Sequence, residues 1–245
     1  MTLVATVLET YRPDLLAATL AGSRDVLLAC DRVIMFCNGG DAESMAVMDD
    51  CGVEHERIVR TCSQAEVMPN GPATTVCALA AKKSGCDLWF HLEGDWLLVP
   101  ELVVALPDWL PIACDIASNP AIGQVRLREE THLGQLVTLP DGLHGDGSGA
   151  ANINWVDGRP VPWRVMPDAP FMVSNAHWTA NPMIMRTALI GTGIPEKPGE
   201  PIAGVFPAET ERHAMARFYA ANLLVAQLRP GVYRHIGEGR HSGQH

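Results

Sequence analysis

The sequence contains no apolar run long enough to cross a bilayer as a helix, which leaves peripheral membrane association open. It also lacks a surplus of base. Eighteen Lys and Arg stand against 28 Asp and Glu, a formal charge of −10. That balance argues against a surface that binds long polyanions, and leaves only a local basic pocket of the kind that takes a phosphorylated small molecule. The seven cysteines, at 30, 37, 51, 62, 77, 86 and 114, form an odd set without close pairs. This points away from a disulfide framework or zinc site and toward small buried thiols in a reducing compartment. The stretch Met1 to Glu9 has neither the basic flank nor the cleavage pattern of a secretory signal, and the expected location is cytoplasmic. No internal repeat and no clear linker interrupt the chain.

What is present suffices for a substantial core: 245 residues, 47% of them apolar, read as one unit over 1–245. Leu3 to Leu8 has the density of a buried strand and stops at Glu9-Thr10-Tyr11-Arg12-Pro13. A helix follows, with Asp14 at its start and Leu15, Leu16, Ala18, Thr19 and Leu20 at helical spacing. Arg32 to Cys37 reads as a second strand closed by Asn38-Gly39-Gly40-Asp41, with a short helix over 42–50 and a third strand over 56–60. Gly71-Pro72 opens an alanine-rich helix from Ala73 to Lys83, ended by Ser84-Gly85. A fourth strand starts near Asp87. Strands alternating with helices predict an α/β fold with a mostly parallel sheet, whose ligands collect beyond the carboxyl ends of the strands.

Beyond residue 100 the pattern is less regular. A short helix is expected over 101–109, interrupted by Pro107 and ended by Pro111, then a strand over 122–127. Residues 141–154 read as a long mobile connection, 155–163 as a hairpin-like turn, and Phe171 to Ser174 as a strand. A short helix is expected after Pro182 and a long one from Glu209 to Leu228, with an extended piece at Val232-Tyr233.

The chemistry concentrates in Leu88-Trp89-Phe90-His91-Leu92-Glu93-Gly94-Asp95-Trp96, an apolar run that ends in two acids. Two carboxylates separated by one glycine can share a hard divalent cation, and such a cation commonly holds phosphates. The plain alternative is an ordinary strand followed by an acidic turn.

Taken in order, Thr10-Tyr11-Arg12-Pro13, Asn38-Gly39, Glu93-Gly94-Asp95 and the terminal His235-Ile236-Gly237-Glu238-Gly239-Arg240 resemble the glycosyltransferases of the GT-A type, particularly the large inverting family 2. The resemblance implies a Rossmann-type α/β/α sandwich with a nucleotide-binding half over about 1–100 and an acceptor-facing half over about 101–245. It implies a reaction in which a sugar passes from a nucleotide-sugar donor to an acceptor hydroxyl with inversion, assisted by Mn²⁺ or Mg²⁺ on the donor diphosphate. The metal set would be Asp95, His235 and Glu93, the last standing where the family has an aspartate.

Donor contacts are expected from Thr10, Tyr11, Arg12, Asn38, Gly39, Asn70, Glu93 and Asp95, with Arg12 offering charge-assisted hydrogen bonds to phosphate and Asn70 lying at a helix start. Capped turns explain the same residues without a ligand, and His235 read alone is a histidine near the chain end. Inversion needs a base for the acceptor proton. Glu209 and Glu211 lie where related enzymes place it, Asp168 is a further candidate, and an acidic first helical turn is the structural alternative for the two glutamates. Trp96 and Trp178 are candidates for stacking on an acceptor, although tryptophan is more often core. Saccharide, lipid-linked saccharide, protein and modified nucleic acid all present suitable hydroxyls. The competing functions are nucleotidyl transfer, which the missing glycine-rich basic loop disfavours, and non-catalytic binding of a sugar nucleotide.

Overall fold

The computed structural model describes residues 1–129, 163, 169–174, 182–191 and 221–237, and the backbone of 137–138, 144–145, 155–156, 159–160 and 164–165. The first half alternates as the sequence predicts: β1 (Leu3–Glu9), α1 (Pro13–Leu28), β2 (Arg32–Gly39), α2 (Ala42–Asp50), β3 (Glu56–Thr61), α3 (Asn70–Ser84) and β4 (Leu88–Glu93). Then come β5 (Trp96–Leu98), α4 (Pro100–Ala105), α5 (Trp109–Ser118) and β6 (Ile122–Arg126). The short strands β7 (Val137–Thr138), β8 (His144–Gly145), β9 (Trp155–Val156), β10 (Arg159–Pro160) and β11 (Arg164–Val165) precede β12 (Phe171–Ser174), β13 (Met183–Arg186), β14 (Leu224–Leu228) and β15 (Tyr233–His235).

A nine-stranded sheet in the order β11-β12-β14-β6-β13-β4-β1-β2-β3 forms the centre. β3, β2, β1 and β4 pair in parallel, as do β6 and β14, while β13 and β12 run against their neighbours. Burial on both faces explains the near-continuous apolar strands. Leu3, Ala5 and Val7 of β1 meet Leu16, Leu20 and Leu27 of α1 and the buried side of α5 on one face, whereas Val4 and Leu8 meet Ala73, Cys77 and Ala81 of α3 on the other. The result is an α/β/α sandwich with a largely parallel central sheet. No helix of the described residues is long and apolar enough to cross a membrane.

Inside that sheet, Trp89 Nε1 donates to Thr6 Oγ1 at 2.7 Å, and the same oxygen lies 2.9 Å from His91 Nδ1. His91 is fully buried with Nε2 unpartnered, and desolvation pushes its pKa down to about 3. The imidazole is therefore neutral at ordinary pH.

The second half corrects several expectations. Pro111 does not end a helix but sits in the first turn of α5, where its missing N–H has no intrahelical partner to lose. Met183–Arg186, expected as the start of a helix, is a strand held antiparallel to both β4 and β6. Leu224–Leu228, expected at the end of the late helix, is a strand between β6 and β12, and 209–220 lie outside the described residues. In both cases pairing with strands far away in sequence overrides a local helical spacing. The mobile connection expected over 141–154 includes β8, which pairs with β7; the remainder lies outside the described residues.

Candidate active site

β1 lies between β2 and β4, so the chain leaves it toward one edge of the sheet and returns on the other side. Such a reversal opens a crevice at the carboxyl ends of the strands. In register, Leu8 faces Glu93 and Glu9 faces Cys37, so Glu9, the turn Thr10 to Arg12 and the acidic segment Glu93 to Asp95 emerge together. The distant tail joins them through an antiparallel ladder in which His235 pairs with Trp96, and Ile236 N–H donates to the Asp95 carbonyl at 2.8 Å.

Asp95 is the centre of this meeting. Its Oδ2 lies 2.8 Å from Arg12 Nη1 and 3.1 Å from His235 Nε2. Burial raises the Asp95 pKa, but the hydrogen bond from His235 and the charges of Arg12 and His235 outweigh it, holding the carboxyl below its ordinary value. Oδ1 is buried without a hydrogen-bond partner, an expensive arrangement unless something else satisfies it. Gly237 closes the cluster. A methyl carbon added there would stand 2.7 Å from Asp95 Oδ2 and 3.0 Å from both Arg12 Nη1 and His235 Nε2, so only glycine leaves these groups undisturbed.

Among the described residues, no group of three or more His, Cys, Asp and Glu side chains gathers closely enough to hold a metal, so the expected triad of Asp95, His235 and Glu93 does not assemble. Asp95 and His235 do meet. A carboxylate with one unsatisfied oxygen beside an imidazole fits Mg²⁺ or Mn²⁺, which fills its other positions with waters and substrate phosphates rather than a full protein cage.

Glu93 is engaged elsewhere. Its Oε1 accepts from Asn70 Nδ2 at 2.6 Å and its Oε2 from Trp96 Nε1 at 3.3 Å, which ties the end of β4 to the first residue of α3. Trp96 is 3% exposed. Its ring lies 5.0 Å from that of His235, and the Arg128 guanidinium stands 5.9 Å from its centroid. Trp96 is thus packing beneath the histidine, and the expected open stacking face for an acceptor is corrected to a support for His235.

Thr10 is half-buried at the turn. Tyr11 carries a positive φ of 51°, and its hydroxyl donates to the carbonyls of Gly39, at 3.3 Å, and Cys62. A Cβ at Gly39 would collide with the Tyr11 ring, so that glycine is the floor on which the turn rests. Asn38 is buried; its Nδ2 donates to the Met68 carbonyl at 2.8 Å and its Oδ1 accepts from Met68 N–H at 3.1 Å. Tyr11, Asn38 and Gly39 therefore shape the rim of the crevice through bonds within the protein.

Sequence reasoning missed Glu9, Gly94 and Gly237. Glu9 reads as the residue that stops a strand, yet it is 2% exposed. Its Oε1 accepts from Arg12 N–H and, at 3.4 Å, from Ser44 Oγ. A Cβ at Gly94 would overlap Glu9 Oε2, so the glycine between the two acids makes room for a third. Burial raises the Glu9 pKa to about 7 against the opposing bond and charge of Arg12, with Asp41 and Asp95 adding to the rise. Since the folded value lies above the unfolded one, Glu9 contributes stability that is full below pH 4.5 and lost as pH rises through 7. Glu9→Gln, which keeps an acceptor for Arg12 N–H without a charge, should remove that slope and gain on the order of 3 kcal/mol relative to the parent at pH 8. Urea unfolding from pH 4.5 to 8 checks this; parallel profiles for the two proteins would rule it out.

Glu209, Glu211, Asp168 and Trp178 lie outside the described residues.

No family model matches the sequence, and no curated protein matches it. Solved structures do match the fold. A mycobacterial protein aligns over 98% of this chain and 68% of its own at 14% identity and a TM-score of 0.52. Glucosyl-3-phosphoglycerate synthase from Mycobacterium tuberculosis, solved with Mg²⁺ and uridine diphosphate, aligns over 97% of this chain and 72% of its own at 12% identity and a TM-score of 0.51. In its complex with phosphoglyceric acid the same synthase matches 51% of this chain at 15% identity and a TM-score of 0.36, and there the chain spans only 42% of the relative's length. The chain has a GT-A-like fold.

Proposed function

We propose that the protein transfers a sugar from a nucleotide-sugar donor to an acceptor hydroxyl with inversion, using Mn²⁺ or Mg²⁺ at Asp95 and His235. The observation that carries this reading is the convergence of Asp95, His235 and Arg12 at the carboxyl ends of β1 and β4, with one buried Asp95 oxygen lacking a partner. The fold shared with a synthase solved with Mg²⁺ and uridine diphosphate supports it. A divalent cation at this place would offset the negative charge that builds on the departing diphosphate. Arg12 adds a fixed positive charge to the same edge. Asp95 orients His235, and Trp96 holds the imidazole from behind. Thr10 and Tyr11 bound the nucleotide side, and Glu93 with Asn70 closes the wall toward α3. Glu209 is the proposed base for the acceptor proton, with Glu211 and Asp168 as substitutes.

A panel of UDP-, GDP- and other nucleotide sugars, each with Mn²⁺, Mg²⁺ or a chelator, should give nucleoside diphosphate release that the chelator abolishes. Release of sugar 1-phosphate instead, with the nucleotidyl group passing to the acceptor, would favour nucleotidyl transfer. Turnover indifferent to metal throughout would refute the mechanism.

A further inference from the structure

We infer that Arg12 is an exchangeable latch on Asp95: its guanidinium pairs with Oδ2 when no cation is bound, and passes to the donor diphosphate when a divalent cation takes the carboxylate. This rests on the donor-binding reading above. Three features support it. Oδ2 is shared by Arg12 at 2.8 Å and His235 at 3.1 Å, and Gly237 leaves no spare room there, so a divalent cation held by the Asp95 carboxylate and His235 would compete with the guanidinium for the same negative charge.

The backbone of Arg12 is fixed, with its N–H bonded to Glu9 and its carbonyl accepting from Leu16 N–H at 3.0 Å. Its side chain, by contrast, is 30% exposed where that of Asp95 is 6% exposed, so the guanidinium is the member of the pair free to leave. Its destination needs strong negative charge within reach of the same crevice. A diphosphate meets that need, because guanidinium and phosphate match in charge and in hydrogen-bond geometry.

Cation and nucleotide then help each other. A cation alone must displace Arg12 without offering it a new partner, whereas a cation with nucleotide supplies one. The coupling is reciprocal by linkage.

Titration of free Mn²⁺ by electron paramagnetic resonance tests this without turnover, in the parent, Arg12→Ala, Arg12→Gln and Asp95→Asn, alone and with UDP or GDP. In the parent, the better-binding nucleotide should tighten Mn²⁺ binding. In Arg12→Ala, Mn²⁺ alone should bind roughly fivefold to a hundredfold more tightly than in the parent, and the enhancement by nucleotide should shrink. Arg12→Gln should behave alike and serves if the alanine variant fails to fold. Equal or weaker Mn²⁺ affinity in the folded Arg12 variants, with binding still lost in Asp95→Asn, would overturn the latch alone. Mn²⁺ binding that persists unchanged in Asp95→Asn would overturn the latch together with the functional reading beneath it.

Discussion

Replacing Asp95 with asparagine is expected to lower kcat/KM for sugar transfer by roughly a thousandfold, the scale of loss when a preorganised charge is removed from an active site. The substitution keeps the volume of the side chain, so packing around the β4 to β5 turn should survive. What it removes is the single negative charge to which Arg12 and His235 are both directed. The asparagine carries no charge for the Arg12 guanidinium, and it is a poor ligand for a hard cation compared with a carboxylate. Initial rates of nucleotide release at saturating Mn²⁺ measure the effect, with the melting temperature as a control for folding. A variant that kept a tenth or more of parental activity would contradict the role given to Asp95.

A second large effect should appear on acidification. His91 sits fully buried in the middle of β4, and desolvation holds its folded pKa at about 3 against an ordinary value of 6.5. Between those values the unfolded chain binds a proton that the folded chain refuses. Stability is thus intact above pH 6.5 and is lost as pH falls toward 3, by on the order of 4 kcal/mol over the window. Glu9 acts in the opposite direction between pH 4.5 and 7. His91→Asn retains a polar atom near Thr6 Oγ1 but cannot titrate, so it should flatten the acid limb whatever its cost at neutral pH. Chemical unfolding at pH 7, 5 and 4 gives the slopes. An acid limb as steep in His91→Asn as in the parent would place the sensitivity elsewhere.

Much of the first half was legible because its signals are local. Apolar strands alternate with helices from Leu3 to Glu93, and the acids after Leu92 mark the sheet edge. Once β1 is flanked by β2 and β4, the crevice follows from topology. The meeting of Asp95 with His235 was expected only from the family resemblance, and Arg12 was expected on the donor phosphate rather than on Asp95, since no sequence pattern measures the distance between residues 95 and 235. Short apolar runs failed in the second half. Met183–Arg186 and Leu224–Leu228 carry too few residues to separate strand from helix by period, and their identity is decided by partners such as Ile122, Phe171 and Trp89. Glu9 was missed for a related reason. Its burial depends on Ser44, Gly94 and the turn at Arg12, none of which alters the local appearance of a strand ending in an acid.

The most direct test of the central claim is calorimetric titration of UDP and GDP into the parent and into Asp95→Asn, with Mn²⁺ and with a chelator. The account predicts that one nucleotide binds the parent at least tenfold more tightly with Mn²⁺, as substrate phosphates share the cation's coordination, and that Asp95→Asn loses this gain. Metal-independent binding, or a gain that survives in Asp95→Asn, would contradict it.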